Sequence, residues 1–329
     1  MMRLKYTIRF IFLLLTAGLL GCKTEQSMFS SAGPYADSIV WLTHLMTYGA
    51  IAVTLFIMLL TGVALFAPDN WKRKLTSDKN IVVGGIVFPT VLLTILLIYG
   101  FILLANAEKI VRSSEALSID VVGEQWWWRF IYTLPDGRKI ETANELRIPV
   151  NRPVSLTLTT ADVIHSFWIP AYGGKLDMIP GRENTLDIFV QQTGVFRGQC
   201  AEYCGGAHAL MSMYSVAMLP SEFEQWLDKE SQIASSAANA KGKDVFLANG
   251  CGSCHQVRGT TANGTVGPDL THVGSRLSIG AGVLKVSKES FVQWIENHQR
   301  LKPDNLMPEY TFLTVEETQL IAEFLHGLQ

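Results

Sequence analysis

Two long stretches without a charged side chain constrain this chain more than any other feature. Residues 41–67 and residues 81–107 contain no Asp, Glu, Lys or Arg. Each exceeds the about 20 residues that an α-helix needs to cross the hydrocarbon core of a bilayer. Helices of this length are also unusual as a buried core pair in a soluble protein. We therefore expect two transmembrane helices within residues 23–112.

The charges around these stretches predict their orientation. Residues 72–79, in the loop between them, carry three Lys and one Arg. Loops rich in Lys and Arg stay in the cytoplasm, so both termini should face the periplasm or exterior of a bacterial inner membrane. The chain would thus be a two-pass membrane protein with its long C-terminal part outside the cytoplasm.

Residues 1–22 resemble a lipoprotein-type signal peptide. Basic residues are followed by the apolar residues 10–20 and then by Leu19-Leu20-Gly21-Cys22, which resembles a lipobox. Cys22 would then be the lipidated N-terminus of the mature protein. The alternative is an uncleaved anchor, but residues 10–20 are too few to span a bilayer.

The remaining composition narrows the class of function. A formal net charge of -2 argues against nucleic-acid binding, which needs a basic excess. Of the five cysteines, four form two close pairs, Cys200 with Cys204 and Cys251 with Cys254. Pairs at these spacings are more typical of metal or haem sites than of a disulfide framework.

The exterior part divides into two kinds of sequence. Residues 113–230 contain short β-branched and aromatic runs separated by turn signals, which predict a small all-β sandwich or barrel. Within it, Asn151-Arg152-Pro153 predicts a hairpin turn between strands 146–150 and 154–160. Residues 231–240 are small and featureless, as in a linker. Residues 241–329 predict an all-α domain, with a capping box at 314–317 opening its last helix.

The first cysteine pair lies in a segment rich in soft metal ligands. Residues 199–213 read QCAEYCGGAHALMSM, so Cys200, Cys204 and His208 follow at spacings of four and Met211 three later. His165 lies upstream in a predicted strand. Two thiolates, two imidazoles and a thioether favour copper. An all-β sandwich that supplies one His from a strand and the other ligands from a single loop resembles the cupredoxins, so we expect a cupredoxin-like sandwich. A surface disulfide and a thioredoxin-like copper chaperone are alternatives, but neither accounts for His208 and Met211 on the same loop of an all-β domain.

The second pair carries the attachment signature of c-type haem. In Cys251-Gly252-Ser253-Cys254-His255 the two thiols would form thioethers, and His255 would bind the iron. A thioredoxin-type redox pair would need a βαβ pattern, which this region lacks. Met307 is the one methionine after His255 and is the expected sixth ligand. The alternative ligands are His272, His298 and His326, which we expect mostly at the surface.

Several segments together resemble cytochrome c oxidase subunit II. They are the copper segment, residues 175–182 (KLDMIPGR) and residues 123–128 (GEQWWW), and the resemblance runs from the first apolar stretch to about residue 227. Residues 267–270 and 302–308 resemble class I cytochromes c, so the whole chain resembles bacterial oxidases in which a cytochrome c is fused to subunit II.

The resemblance implies a role for each site residue. Cys200 and Cys204 would bridge the two coppers of a CuA centre, with His165 and Met211 on one copper and with His208 and the backbone carbonyl of Glu202 on the other. The Glu202 side chain would also serve a magnesium ion shared with subunit I. Trp126 would be an exposed residue through which electrons from a cytochrome c enter.

The implied function is electron transfer into a proton-pumping oxidase. Electrons would pass from an external cytochrome or membrane donor to haem c, then to CuA, and then to the haem-copper centres of subunit I, where oxygen is reduced to water. Subunit III would be a further partner. Many relatives carry a glutamate at the start of the second transmembrane helix, but residues 80–85 (NIVVGG) have no carboxylate, which leaves the route of proton uptake open.

Three other functions compete with this interpretation. A quinol oxidase subunit II would lack the copper ligands, and a nitrous oxide reductase would need a further large domain. A free-standing membrane cytochrome or copper-delivery protein would share the motifs but never join subunit I.

Overall fold

A computed structural model describes residues 26–109, 116–234 and 239–329 of the chain. These fall into two compact units, one of which consists of residues 37–112. The predicted signal peptide and Cys22 lie outside the described residues.

The unit of residues 37–112 is helical. Helix α1 is Pro34–Phe66, α2 is Asp69–Leu75, α3 is Asp78–Val82 and α4 is Phe88–Lys109, and the π-helical turn Val83–Val87 joins α3 to α4. Pro34–Phe66 and Asp78–Ala105 are long and apolar enough to cross a membrane, and neither is buried by the rest of the protein. Apolar side chains exposed along a whole helix are suited to lipid rather than to water. The prediction of two membrane helices is confirmed, although α1 begins before residue 41.

The other unit contains a β-sandwich followed by a helical domain. Ten strands form two five-stranded sheets in the described part of the unit, with the orders β3-β2-β1-β5-β8 and β4-β10-β9-β6-β7. Their bounds are β1 Leu117–Glu124, β2 Trp127–Thr133, β3 Lys139–Ala143, β4 Glu145–Pro149, β5 Pro153–Thr160, β6 His165–Trp168, β7 Leu176–Met178, β8 Asn184–Phe189, β9 Gly194–Cys200 and β10 Ser212–Met218. The pairs β1–β5 and β4–β10 are parallel, and the other neighbours are antiparallel.

The core of the sandwich follows from alternation along its strands. In β2, Trp128 and Phe130 are fully buried, whereas their neighbours in the strand are only partly buried. Phe167 of the opposite sheet packs edge-on against both rings, with centroids 5.5 and 6.4 Å away. Successive strand residues point to opposite faces, so one face of each sheet supplies this aromatic core.

The predicted hairpin between residues 146 and 160 is wrong. Strand β4 pairs with β10, whereas β5 pairs with β1 and β8. Residues 150–152 therefore carry the chain from one sheet to the other, with Asn151 in the left-handed region at φ 58°. The turn signal was correct, but a turn signal does not specify which strands pair.

The helical domain follows the sandwich. Helix α5 (Pro220–Ser231) precedes residues 235–238, which are not described, and the domain then contains α6 (Ala240–Ala248), α7 (Lys288–Leu301) and α8 (Val315–Gly327). Short 3₁₀ helices occur at Cys251–Ser253 and Val273–Ser275, and β11 (Ser278–Ile279) pairs with β12 (Leu284–Lys285). The predicted capping box is confirmed, since the Thr314 hydroxyl accepts from Glu317 N and Thr314 N donates to the Glu317 carboxylate.

Candidate copper and haem centres

Two neighbouring strands of the sandwich bring the predicted copper ligands together. His165 begins β6 and Cys200 ends β9, and these strands are paired so that Phe167 lies opposite Cys200. The loop after β9 carries Cys204 and His208 and returns to β10 just after Met211. Strand β6, the last residue of β9 and the loop that follows β9 thus supply all the predicted ligands.

The distances define one cluster around the two thiols. Cys200 Sγ lies 3.7 Å from Cys204 Sγ, 3.8 Å from His165 Nδ1 and 3.2 Å from the backbone oxygen of Glu202. On the other side, Cys204 Sγ lies 3.4 Å from His208 Nδ1 and 3.8 Å from Met211 Sδ. All six predicted copper ligands therefore point at the same small volume.

The donor set fits a soft metal. Cys200 and Cys204 are free thiols, too far apart for a disulfide bond, which needs about 2.05 Å between the sulfurs. His165, Cys200 and Cys204 are all buried, with ligand atoms within 4.8 Å of one another. Buried thiol, imidazole and thioether atoms that converge in this way match the preferences of copper and not those of magnesium or calcium.

Asp162 fixes the tautomer and orientation of His165. Its Oδ1 lies 2.8 Å from His165 Nε2, which leaves Nδ1 directed at Cys200. Burial lowers the pKa of His165, but the contacts with Cys200 and Asp162 outweigh burial and leave that pKa raised. The hydrogen bond from Cys204 lowers the pKa of Cys200, so Cys200 is the thiol that ionises first. A carboxylate behind a ligating histidine is a common means of holding the ring in place.

The predicted haem residues line one cavity in the other domain. Its wall includes all four, Cys251, Cys254, His255 and Met307, together with Phe246, Pro268, Trp294, Tyr310, Leu313, Ile321 and Leu325. His255 Nδ1 donates to the Pro268 carbonyl at 2.8 Å, which leaves Nε2 as the free ring nitrogen. An apolar wall, two free thiols and an oriented histidine fit a covalently bound haem.

Arg276 supplies a further test of that fit. It lines the same cavity, and its Nε is buried without a hydrogen-bond partner in the described residues. A buried donor without an acceptor is unfavourable, whereas an anionic substituent of a bound group would satisfy it. The carboxylates of haem supply such anions.

The structure corrects one expectation about the alternative haem ligands. His272 and His298 are buried, with 3% and 1% of their surface exposed, rather than lying at the surface. His272 Nε2 contacts the Gln232 carbonyl, and His298 Nε2 contacts the Met307 carbonyl at 3.0 Å. His298 therefore holds the backbone of the loop that presents Met307.

The expectation that Trp126 is exposed is wrong. Only 7% of its surface is exposed, and it lines the haem cavity at the junction of the sandwich and the helical domain. Its indole Nε1 donates to the Cys204 carbonyl at 2.9 Å. The helical domain of the same chain covers the surface on which the resemblance placed an external cytochrome.

Sequence reasoning missed three residues at these centres. Asp162 lies three residues before His165, a spacing that could have suggested a supporting carboxylate. Arg276 had no motif to mark it. Lys302 begins the segment 302–308, which marked only the Met307 loop, yet Lys302 is buried between the sandwich and the helical domain, and burial lowers its pKa to about 7.

Comparisons with known proteins match the sandwich and the helical domain to two known families. The family model for the periplasmic domain of cytochrome c oxidase subunit II matches residues 134–217, and that for cytochrome c matches residues 239–329. Cytochrome c oxidase subunit 2 of Alkalihalophilus pseudofirmus is 31% identical over 96% of this chain and 95% of its own length. That of Bacillus subtilis is 31% identical over 98% of each chain.

Among solved structures, the periplasmic domain of subunit II of the Bradyrhizobium japonicum cytochrome oxidase is 36% identical. The matched region covers 36% of this chain and 95% of the solved chain, with a TM-score of 0.34.

The fold and the two sites define a class of membrane protein in which a cupredoxin-like domain and a cytochrome c domain are carried on apolar helices. Within that class, the chain belongs to the cytochrome c oxidase subunit II family, in a form that carries its own cytochrome c domain. Membership implies CuA copper, haem c, association with the membrane, a periplasmic domain and partnership with subunit I of a haem-copper oxidase.

Proposed function

We propose that this chain is the subunit through which electrons enter a proton-pumping cytochrome c oxidase. Electrons from an external donor pass to haem c, then to CuA, and then to the haem-copper centres of subunit I, where oxygen is reduced to water. One observation carries the proposal. Trp126 lines the haem cavity and also donates to the Cys204 carbonyl, so one side chain contacts both candidate centres.

Each ligand has an assigned place in the proposal. Cys200 and Cys204 would supply thiolate ligands to two coppers. His165 and Met211 would be further ligands of one copper, and His208 with the Glu202 carbonyl would be further ligands of the other. Bound copper would supply a one-electron couple. Support comes from the cluster of all these atoms within hydrogen-bonding distances of the two thiols.

In the haem domain, Cys251 and Cys254 would form thioethers to haem c, and His255 and Met307 would bind the iron. Bound haem c supplies a one-electron couple whose potential is raised by His/Met ligation. The chain itself orients the ligands. The Pro268 carbonyl fixes His255, and His298 with Gln299 fixes the Met307 carbonyl. Apolar residues of the cavity exclude water from the site.

The proposal extends to the contacts of the chain with other subunits and with the membrane. The exposed Glu202 carboxylate binds magnesium at the contact with subunit I, and subunit III belongs to the same complex. Cys22 carries lipid, and both termini lie on the periplasmic or exterior side of the bacterial inner membrane. The basic segment of residues 72–79 supports this orientation.

Purification from the native membrane tests the proposal. The chain should migrate with a haem-copper subunit I after mild detergent extraction and through a second separation by charge. A chain that carries haem and copper but migrates without such a subunit would instead be a free-standing membrane cytochrome, and the proposed function would be wrong.

A further inference from the structure

A buried lysine lies at the junction of the sandwich and the helical domain. Lys302 is only 3% exposed and follows the last residue of α7, in the segment that leads to Met307. Its own backbone is held by a 2.7 Å hydrogen bond from its N–H to the His298 carbonyl. A lysine is rarely buried unless its ammonium group is fully hydrogen-bonded.

The Lys302 ammonium group donates to three backbone carbonyls. They belong to Trp126 at 2.5 Å, Leu210 at 3.0 Å and Gly280 at 3.2 Å. The first two are in the sandwich and the third is in the helical domain. Three donors meet three acceptors, and the ammonium group reaches all three carbonyls only while the two domains stay in this arrangement.

These carbonyls flank the candidate copper cluster. The indole of Trp126 donates to the Cys204 carbonyl, and Leu210 directly precedes Met211. One ammonium group therefore joins the segment that presents a haem ligand to two segments that support copper ligands.

Other polar contacts join the same two domains. Both the N–H and the hydroxyl of Ser212 donate to the Ala281 carbonyl, and Leu277 N donates to the Glu145 carboxylate at 2.7 Å. Arg129 reaches across to the Thr265 carbonyl at 3.0 Å. Each of these hydrogen bonds has a backbone group on the helical-domain side, so together they specify one orientation rather than a loose encounter.

We propose that Lys302 is a positioning residue that locks the cytochrome domain onto the copper domain of its own chain. The haem cavity and the copper cluster are then held in one fixed arrangement, without a diffusional search by a tethered domain. Because the cytochrome domain covers Trp126, an external electron donor reaches the copper domain only through that cytochrome domain. This consequence for electron transfer rests on the proposed function, whereas the docking does not.

Hydrogen exchange tests the docking in the purified membrane complex with the full chain. Lys302→Met keeps the length and apolar stem of the side chain but removes its three donors. Backbone amides of residues 124–128 and 207–213 should exchange at least about tenfold faster, because hydrogen bonds to a charged group are lost from both segments. The exposed Lys285 provides the matched control, since Lys285→Met removes the same charge from the same domain. Exchange in Lys302→Met equal to that in Lys285→Met would overturn the proposal.

A second measurement needs no variant. Brief acetylation of the native complex, followed by peptide mass spectrometry, should label Lys285 and leave Lys302 at least about tenfold less modified. Equal labelling of the two lysines would show that the domains open freely, and the proposal would be wrong.

Flash-induced electron transfer separates this proposal from the proposed function. In Lys302→Met the rate from haem to copper should fall about tenfold or more, while the copper and haem absorption bands and the rate from copper to subunit I are retained. An unchanged haem-to-copper rate would overturn the positioning role. If wild-type complex showed no haem-to-copper transfer but Lys302→Met still accelerated hydrogen exchange, the proposed function would fail and the docking would stand.

Discussion

Asp162 offers a direct test of how this fold supports its copper ligands. Asp162→Ala removes the carboxylate that lies 2.8 Å from His165 Nε2. His165 has no exposed surface, but the Asp162 side chain is 28% exposed, so water can partly replace the lost acceptor. Loss of such a supporting group typically costs about 10- to 100-fold in metal affinity, or about 1.4 to 2.7 kcal/mol. Because water can reach the position that the carboxylate leaves, we expect a value in the lower half of that range.

The assay is competition for copper between the purified complex and a chelator, followed through the near-infrared band of CuA. Asp136→Ala is the matched control, because Asp136 is exposed and its partner is Arg138 in the same turn. Asp162→Asn keeps an acceptor oxygen and should lose less affinity than Asp162→Ala. The haem α-band should be unchanged in all three variants. Copper affinity in Asp162→Ala equal to that of the control would refute the supporting role of Asp162.

Three further predictions concern the independence and stability of the domains. Cys204→Ser should abolish the near-infrared band and leave the haem α-band intact, and loss of both bands would mean that the two domains are not independent. In Gly242→Ala, the new methyl group would overlap the Leu320 carbonyl where α6 crosses α8. Overpacking of this kind costs about 1 to 3 kcal/mol, so the melting temperature of the haem domain should fall by several degrees. An unchanged melting temperature would show that the helices separate at no cost. Burial raises the pKa of the Glu230 carboxyl, although Arg276, His272, Arg258 and Arg147 lie nearby. The folded state therefore binds a proton at Glu230 more tightly than the unfolded state does. The stability that this protonation contributes is lost as pH rises from about 4.5 through the raised pKa. Glu230→Gln should therefore raise the melting temperature at pH 7 and change it little at pH 4, whereas a lower melting temperature at pH 7 would show that the nearby arginines outweigh burial.

Local patterns in the sequence were enough to predict the apolar helices, some of the strands and most of the proposed copper ligands. The apolar helices, the strand alternation around Trp128 and the capping box at Thr314 each depend on residues close together in the chain. The proposed copper ligands Cys200, Cys204, His208 and Met211 lie at the end of β9 and in the loop that follows it, so they are close in space because they are close in sequence. His165 needed only the expectation that its strand borders the loop.

What the sequence did not reveal depends on contacts between distant segments. The turn at Asn151 looked like a hairpin because turn chemistry does not record which sheet each strand joins. Trp126 was expected at the surface because nothing local indicates that the fused domain would cover it. Lys302 reaches residues 176 and 92 positions away in the chain, and only the docking of the two domains explains why a lysine is buried there.

A metal and haem assay on the intact complex tests the central claim most directly. Copper should be present at two atoms per chain beyond the copper of subunit I, with one haem that remains attached to this chain after denaturation and with a mixed-valence near-infrared band. A chain that holds covalent haem but no copper, or copper without covalent haem, would contradict the account of two coupled centres on one electron-transfer subunit.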